Sequence, residues 1–415
     1  MRTHLTLTGP LAAAGAALLS VAIAAPTLAA SVTWTRQFGT SAEEIAGGIA
    51  QDATGFTVVG TTGGPLVHAV RGANDGFIRR YSRSGTVLWT RQFGTDGQDM
   101  AVDVAADSGG LTVVGVTDGS FSGAPTTPGT DDLFVRRYDR SGNLKWNRQF
   151  GTKRDEDAGA IAADASGITV VGTTWGTLAG SSPAGDADAV VRRYDRTGKV
   201  VWTRQFGTPE GDSADAVAID AAGFTVAGGT DGDLGRKNAG PFTDMYVRRF
   251  NAMGSTVWTR QWGQKGDDQA LSIAADATGV TAVGYTTADA FGNASSQAFI
   301  RRYDRSGTLV FGKIFGSVDS EVAWGVAADS AAITVTGYTY GSMDAANKGS
   351  FDVFVRRYDR AGNVVWKAQF GSTKADLGLD VAADATGFTI LGHTQGNLAA
   401  TPKGELDIFV RRYSR

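Results

Sequence analysis

Seven carboxylates recur at one position of a repeating pattern: Glu44, Asp99, Glu156, Asp212, Asp268, Glu321 and Asp376. Each stands at the start of a strand-like run, eight residues before an Asp that ends it. One carboxylate per copy would form a ring, and hard oxygen donors in a ring could hold a cation or a polyol. The same copies carry an Arg pair, such as Arg136 and Arg137, whose members alternate across a strand. One of the two is then expected inside the protein, where a guanidinium needs a carboxylate or carbonyl partner and its planar fork suits a carboxylate. Equal numbers of acids and inward arginines make ion pairing or turn capping the preferred expectation, and a ligand site the competing one.

Other chemistry is sparse. His68 falls in a loop, His393 at the end of a strand, there is no Cys, and no G-x-S-x-G motif surrounds a serine. Two acids at one channel mouth could act as the carboxylate pair of a glycosidase, but nothing singles out a pair. The clusters Arg154-Asp155-Glu156-Asp157 and Asp131-Asp132 read as solvated loop charges rather than metal sites. The chain is therefore expected to be a non-enzyme with no catalytic residue, metal or cofactor.

The elements that must position these residues repeat seven times. The pattern W-x-R-Q-F-G places aromatic residues at Trp34, Trp89, Trp146, Trp202, Trp258, Phe311 and Trp366, 53 to 57 residues apart. A second anchor, an apolar residue followed by Arg-Arg and an aromatic, recurs at Arg79, Arg136, Arg192, Arg248, Arg301, Arg356 and Arg411. Abundant Gly (57 residues) and a modest charged fraction favour short strands joined by turns. In one unit the strands read Asp99 to Asp107, Leu111 to Thr117, Leu133 to Asp139 and Asn143 to Phe150, here called a, b, c and d. Asp and Gly three residues apart punctuate the a–b and c–d junctions, where Asp accepts local N–H groups and Gly supplies positive φ. Four strands at this period imply a seven-bladed β-propeller, an all-β fold with four antiparallel strands per blade.

The chain enters the pattern at a strand d, Val32 to Phe38, and leaves it after a strand c, Asp407 to Tyr413. Pairing the two completes the seventh blade and removes an open sheet edge. Within strand b every unit has Gly at the position of Gly60, which marks close approach by something bulky. The strand d Trp of the neighbouring blade is the expected visitor.

Residues before the repeats read as a leader. Arg2 and His4 precede an apolar run from Leu11 to Ala25, then Pro26 and small residues, so cleavage is expected after Ala29 or Ala30. The run is shorter than the roughly 20 residues that cross a bilayer. The expectation is a signal peptide over 1–30, a single propeller domain over 31–415, and a secreted protein, extracellular or periplasmic, without a membrane span after cleavage. Net charge is −3 with Arg and Asp interspersed, which disfavours nucleic acid as a partner. A monomer is expected.

Asp139 to Thr152 (DRSGNLKWNRQFGT), the recurring VAADATGFT and Pro125 to Gly129 (PTTPG) resemble the bacterial SBBP repeat, the seven-bladed β-propeller repeat family. The resemblance implies a propeller in an exported or cell-surface protein, and no common catalytic set. Quinoprotein-dehydrogenase and sialidase Asp-box repeats fit less well, because their Asp-to-Gly spacings differ from that of Asp195 and Gly198.

Function is then expected on the b–c connections, which vary most between copies and should share a face with the acidic ring. Trp175, Phe121, Phe242, Phe291 and Tyr340 could offer stacking surfaces to a glycan or protein partner there, or could pin their own loops. A binding or scaffold module is the first expectation, and a polysaccharide hydrolase or lyase using acids at the channel mouth is the second.

Overall fold

The computed structural model describes residues 30–121, 130–178, 185–288 and 295–415. The leader apart from Ala30, Pro125 to Gly129 and Phe291 lie outside them. The described residues form seven four-stranded antiparallel sheets. Blade two shows the order: a (Asp99–Asp107), b (Gly110–Thr117), c (Asp132–Tyr138) and d (Leu144–Phe150), each bonded to the next. Strand a is innermost and d outermost, so strand b is buried along its length in blade two while the outer edge exposes Leu88 and Val201.

The seventh blade closes as the ends of the repeat pattern imply. Val32–Phe38 pairs antiparallel with Asp407–Ser414, setting Thr35 opposite Arg411 and Phe38 opposite Ile408. The apolar core lies between blades: one cluster joins Trp34, Ile408 and Val410 of blade seven to Phe56, Val58 and Phe77 of blade one. Phe56 and Phe77 are fully buried, and a buried Phe contributes roughly 1.5–3 kcal/mol of transfer free energy.

The expected meeting of Trp with the strand b glycine is not what occurs. A Cβ at Gly60 would strike the Ile45 carbonyl and the Phe77 ring of its own blade. The strand d Trp instead lies on the c–d turn of the next blade, where Gly85, Gly142, Gly198, Gly254 and Gly307 have φ of +78° to +81°. A Cβ on Gly85 would come within 2.8 Å of the Trp34 ring. The indoles of Trp34, Trp89, Trp146 and Trp258 donate to the turn carbonyls of Arg83, Arg140, Arg196 and Arg305, at 3.0 to 3.3 Å. Each turn glycine thus meets two demands, left-handed backbone and clearance for a ring.

Candidate functional site

The seven recurrent acids turn inward on the protein. Glu44, Asp99, Asp268, Glu321 and Asp376 are fully buried, and Glu156 and Asp212 nearly so. Each accepts from the backbone N–H four residues earlier, as Glu44 does from Thr40 at 2.7 Å and Glu321 from Ser317 at 2.8 Å. Four of them also take the hydroxyl of the last strand b threonine: Glu44 from Thr62, Glu156 from Thr174, Glu321 from Thr339 and Asp376 from Thr394. They brace the d–a connection, which is the capping half of the sequence expectation.

Arginine pairing involves other acids. The second Arg of each pair meets the Asp that ends strand a: Arg80–Asp52, Arg137–Asp107, Arg193–Asp164, Arg249–Asp220, Arg302–Asp276, Arg357–Asp329 and Arg412–Asp384, at 2.5 to 2.9 Å. The first Arg lies over the strand d aromatic of the preceding blade, as Arg192 does over Phe150 at 3.8 Å. Seven arginines do find seven carboxylates, but at the opposite end of strand a from the seven recurrent acids.

A second buried acid opens strand c in six blades: Asp75, Asp132, Asp188, Asp244, Asp352 and Asp407. It accepts from the Gln of W-x-R-Q-F, as Asp75 does from Gln92 at 2.8 Å. The same Gln accepts from the b–c loop, Val67 N–H for Gln92 and Leu178 N–H for Gln205. In blade five Gln297 and Ile314 replace both partners. These acids crowd the recurrent ones, so burial, with the charge on Asp244 added, pushes Asp268 up to about 6.

With the regular acids absorbed by the scaffold, the irregular ones stand out. A cavity of about 500 Å³ on the central axis is lined by strand a of every blade, including Asp103, Asp215, Asp380, Gln269, Ser272 and Trp324. Consecutive residues line it, Val102 with Asp103 and Leu379 with Asp380, which a regular strand cannot do. A β-bulge in strand a makes this possible, shifting register between Ala101 and Asp103 and between Gly378 and Asp380. Asp103 accepts from Val104 and Ile161 N–H, and Asp380 from Val381 and Ile49 N–H, at 2.7 to 2.9 Å. Each carboxylate therefore bridges to the bulge of the following blade. Ser272 does the same for Val326 N–H at 3.2 Å.

No Lys, Arg or His lines this cavity among the described residues. Burial pushes Asp103 and Asp380 above the usual carboxylate range, and the charge on Asp380 raises Asp103 further. Burial takes Asp215 to about 6, against hydrogen bonds from Gln269 and Ser213. A carboxyl whose folded pKa is raised stabilises the fold at pH below its unfolded value, and that contribution is lost as pH rises through the raised value. Stability should therefore decline from about pH 4 past pH 6. Asp103→Asn, which keeps a carbonyl acceptor, should melt higher than the wild type at pH 8 and equal it near pH 4; parallel melting curves across that range would refute the assignment.

The loop face carries the aromatic candidates. Trp175 is half-exposed beside Lys153, Arg154 and Asp186. Tyr340 is exposed and rests on Phe351, 3.9 Å between ring centroids. Tyr338 meets Phe351 edge-on at 5.0 Å and lies beside Trp324, so blade six connects the loop face to the channel through one aromatic group. Phe121 packs on Phe134 at 5.0 Å under Arg136 and pins its own loop. His68 bonds the Ala69 and Gln92 carbonyls. Burial lowers His393 to about 4, leaving it neutral. Asp155 accepts from Asp131 N–H at 3.4 Å, within the acidic loop pair. Sequence reasoning passed over Asp103, Asp215, Asp380 and Trp324. The available signal was the fourth and fifth positions of strand a, which run Gly-Gly, Val-Asp, Gly-Ala, Asp-Ala, Leu-Ser, Trp-Gly and Leu-Asp around the ring.

Comparison with known proteins adds architecture. No protein-family model matches the chain. Over 173 residues it is 26% identical to the regulatory protein FlaEY of Caulobacter vibrioides, a match covering 38% of this chain and 18% of that protein. The chain thus spans less than a fifth of that relative. Among solved structures it is similar to the Neurospora crassa Pan2 WD40 domain, with TM-score 0.51, 11% identity, and 92% and 95% of the two chains covered. It is also similar to Drosophila Plexin A, solved in complex with Semaphorin 1b, with TM-score 0.53, 8% identity, and 92% and 87% covered. No helix among the described residues is long and apolar enough to cross a membrane. At these identities the likenesses show the fold alone, and the chain is a β-propeller of seven four-stranded blades.

Proposed function

We propose that the chain is an exported, non-enzymatic binding or scaffold module that holds a protein or glycan partner on its b–c loop face, over the mouth of the central channel. The observation that carries this reading is the division of labour among polar residues. The repeated acids, arginines and glutamines are spent on hydrogen bonds within the scaffold, while the loops and channel wall differ from blade to blade. A rigid frame with one variable face is the usual basis of recognition. The apolar run from Leu11 to Ala25 supports export, as does the likeness to the SBBP repeat.

The test is a glycan array and partner capture with protein from residue 31 onward, repeated with Trp175→Ala and Tyr340→Ala. Binding should fall by about tenfold in the variants and be unaffected by Leu88→Ala on the outer strand. Binding indifferent to both loop aromatics would overturn the placement.

A second reading, a polysaccharide hydrolase or lyase, rests on Asp103 and Asp380, whose raised affinity for protons suits proton transfer. Release of reducing ends from a polysaccharide panel, abolished by Asp103→Asn, would establish it in place of the first.

A further inference from the structure

On the face opposite the b–c loops, the repeat supplies its own template for a cation site. The c–d turn carries an Arg at its second position in six copies: Arg83, Arg140, Arg196, Arg305, Arg360 and Arg415. Five of them reach the Asp that ends strand a of the preceding blade. Arg83 meets Asp384 at 3.0 Å, Arg140 Asp52 at 3.5 Å, Arg196 Asp107 at 3.6 Å, Arg360 Asp276 at 2.9 Å and Arg415 Asp329 at 3.5 Å. Four of these five also donate to a–b turn carbonyls of their own blade, as Arg83 does to Ala53 at 2.9 Å and Arg140 to Asp107 at 3.0 Å. A guanidinium thus bridges two blades between a carboxylate and a carbonyl.

Blade four has Ala252 at this position. Its turn is otherwise built like the rest: Asn251 accepts from Met253 and Ser255 N–H, and Gly254 has φ +78°. Where the arginine would lie there is a cavity of about 370 Å³, lined by Asp164 and Arg193 of blade three and by Ile219, Asp220, Ala221, Phe224 and Ala252 of blade four, among others. Asp220 and Ala221 are the counterparts of Asp107 and Ala53, whose carbonyls accept from arginines elsewhere. The Asp164 side chain is 34% exposed, against 1% to 19% for its six counterparts. Its Oδ1 already takes Arg193 at 2.6 Å together with Ser166 and Gly167.

We propose that the cavity between blades three and four binds a guanidinium group carried by a ligand, placed between the Asp164 carboxylate and the Asp220–Ala221 carbonyls as the chain's own arginines are placed in the other blades. Its apolar wall of Ile219, Phe224 and Ala252 takes the aliphatic stem of such a group. Phe224 is held rigid by stacking on Phe250 at 4.9 Å and on Trp202 at 5.6 Å. The site is on the other face from the partner surface proposed above and stands or falls separately.

Calorimetric titration of the full chain with agmatine, n-butylamine and the tripeptide Gly-Arg-Gly tests it. Agmatine should bind saturably, and at least about tenfold more tightly than n-butylamine, which lacks the fork. A preference for the tripeptide over agmatine identifies a peptide side chain as the source, and the reverse a free small cation. Ala252→Arg should abolish binding of every probe and raise the melting temperature, because the chain then supplies its own guanidinium. Asp164→Asn should weaken agmatine by about tenfold; should that variant fail to fold, Ala252→Met, which fills the cavity without charge, replaces it and should also block the probe. Absence of saturable agmatine binding, or binding unchanged by Ala252→Arg, overturns the proposal.

Discussion

Deleting Val32 to Phe38 should lower the melting temperature sharply or drive the protein into aggregates. The segment supplies the outermost strand of blade seven, paired with Asp407–Ser414 along its length, and without it that sheet ends on unpaired strand c backbone. An unprotected edge templates pairing with another chain. The segment also spans the junction with blade one. Trp34, 9% exposed, meets Phe56 at 5.9 Å and donates to Arg83, while the Arg36 guanidinium donates to the Gly85 carbonyl at 3.0 Å. Truncating a buried Trp costs about 3–5 kcal/mol on its own, against a typical total stability of about 5–15 kcal/mol. Trp34→Ala should therefore fold with reduced stability, whereas the deletion should not give a monodisperse folded monomer. Added peptide spanning Ser31 to Gly39 should restore part of the lost melting temperature. A deletion variant that unfolds like the wild type would show that closure does not depend on this strand.

The ring was legible because its parts recur at fixed intervals: a strand d aromatic, an Arg pair and the Asp that ends strand a each appear once per blade. Closure was legible for the same reason, since a lone d run and a final c run complement each other. What failed was register. Strand alternation cannot place Asp103 or Asp380 on the channel wall, because the bulge at Ala101 and Gly378 interrupts the period of two. Nor can a count of charges say which acid meets which arginine. The acids at the start and the end of strand a are equally regular, and only the fold shows that Arg302 reaches Asp276 rather than Asp268. Ala252 stands where six other copies carry Arg, a substitution the repeat pattern alone gives no weight, because the cavity it leaves depends on where the side chains of two blades converge.

Replacing Arg302 with Met should cost about 3–5 kcal/mol, the penalty for leaving a buried charge without its partner. Arg302 is 2% exposed; its Nη2 meets Asp276 at 2.7 Å and its Nη1 meets Thr281 at 2.8 Å. Met fills much the same volume, so the loss reports charge and hydrogen bonds more than packing. Burial by itself would raise the Asp276 pKa, yet hydrogen bonds from Arg302 and Thr278 hold it below its ordinary value. A carboxylate with a lowered folded pKa contributes stability above its unfolded pKa, near 4, and loses it as pH falls through the lower value. In the variant, burial acts with less opposition and the Asp276 pKa should rise. The gap between wild type and Arg302→Met should consequently be widest at neutral pH and narrow below pH 4, where Asp276 in the variant is protonated. Adding Asp276→Asn should recover a large part of the loss at pH 7, since the double variant buries no unpaired charge. Arg360, which meets the other Asp276 oxygen at 2.9 Å from a 30% exposed position, sets the residual. A pH-independent loss, left unchanged by the second substitution, would mean that Arg302 matters to the blade for its volume and not for its charge.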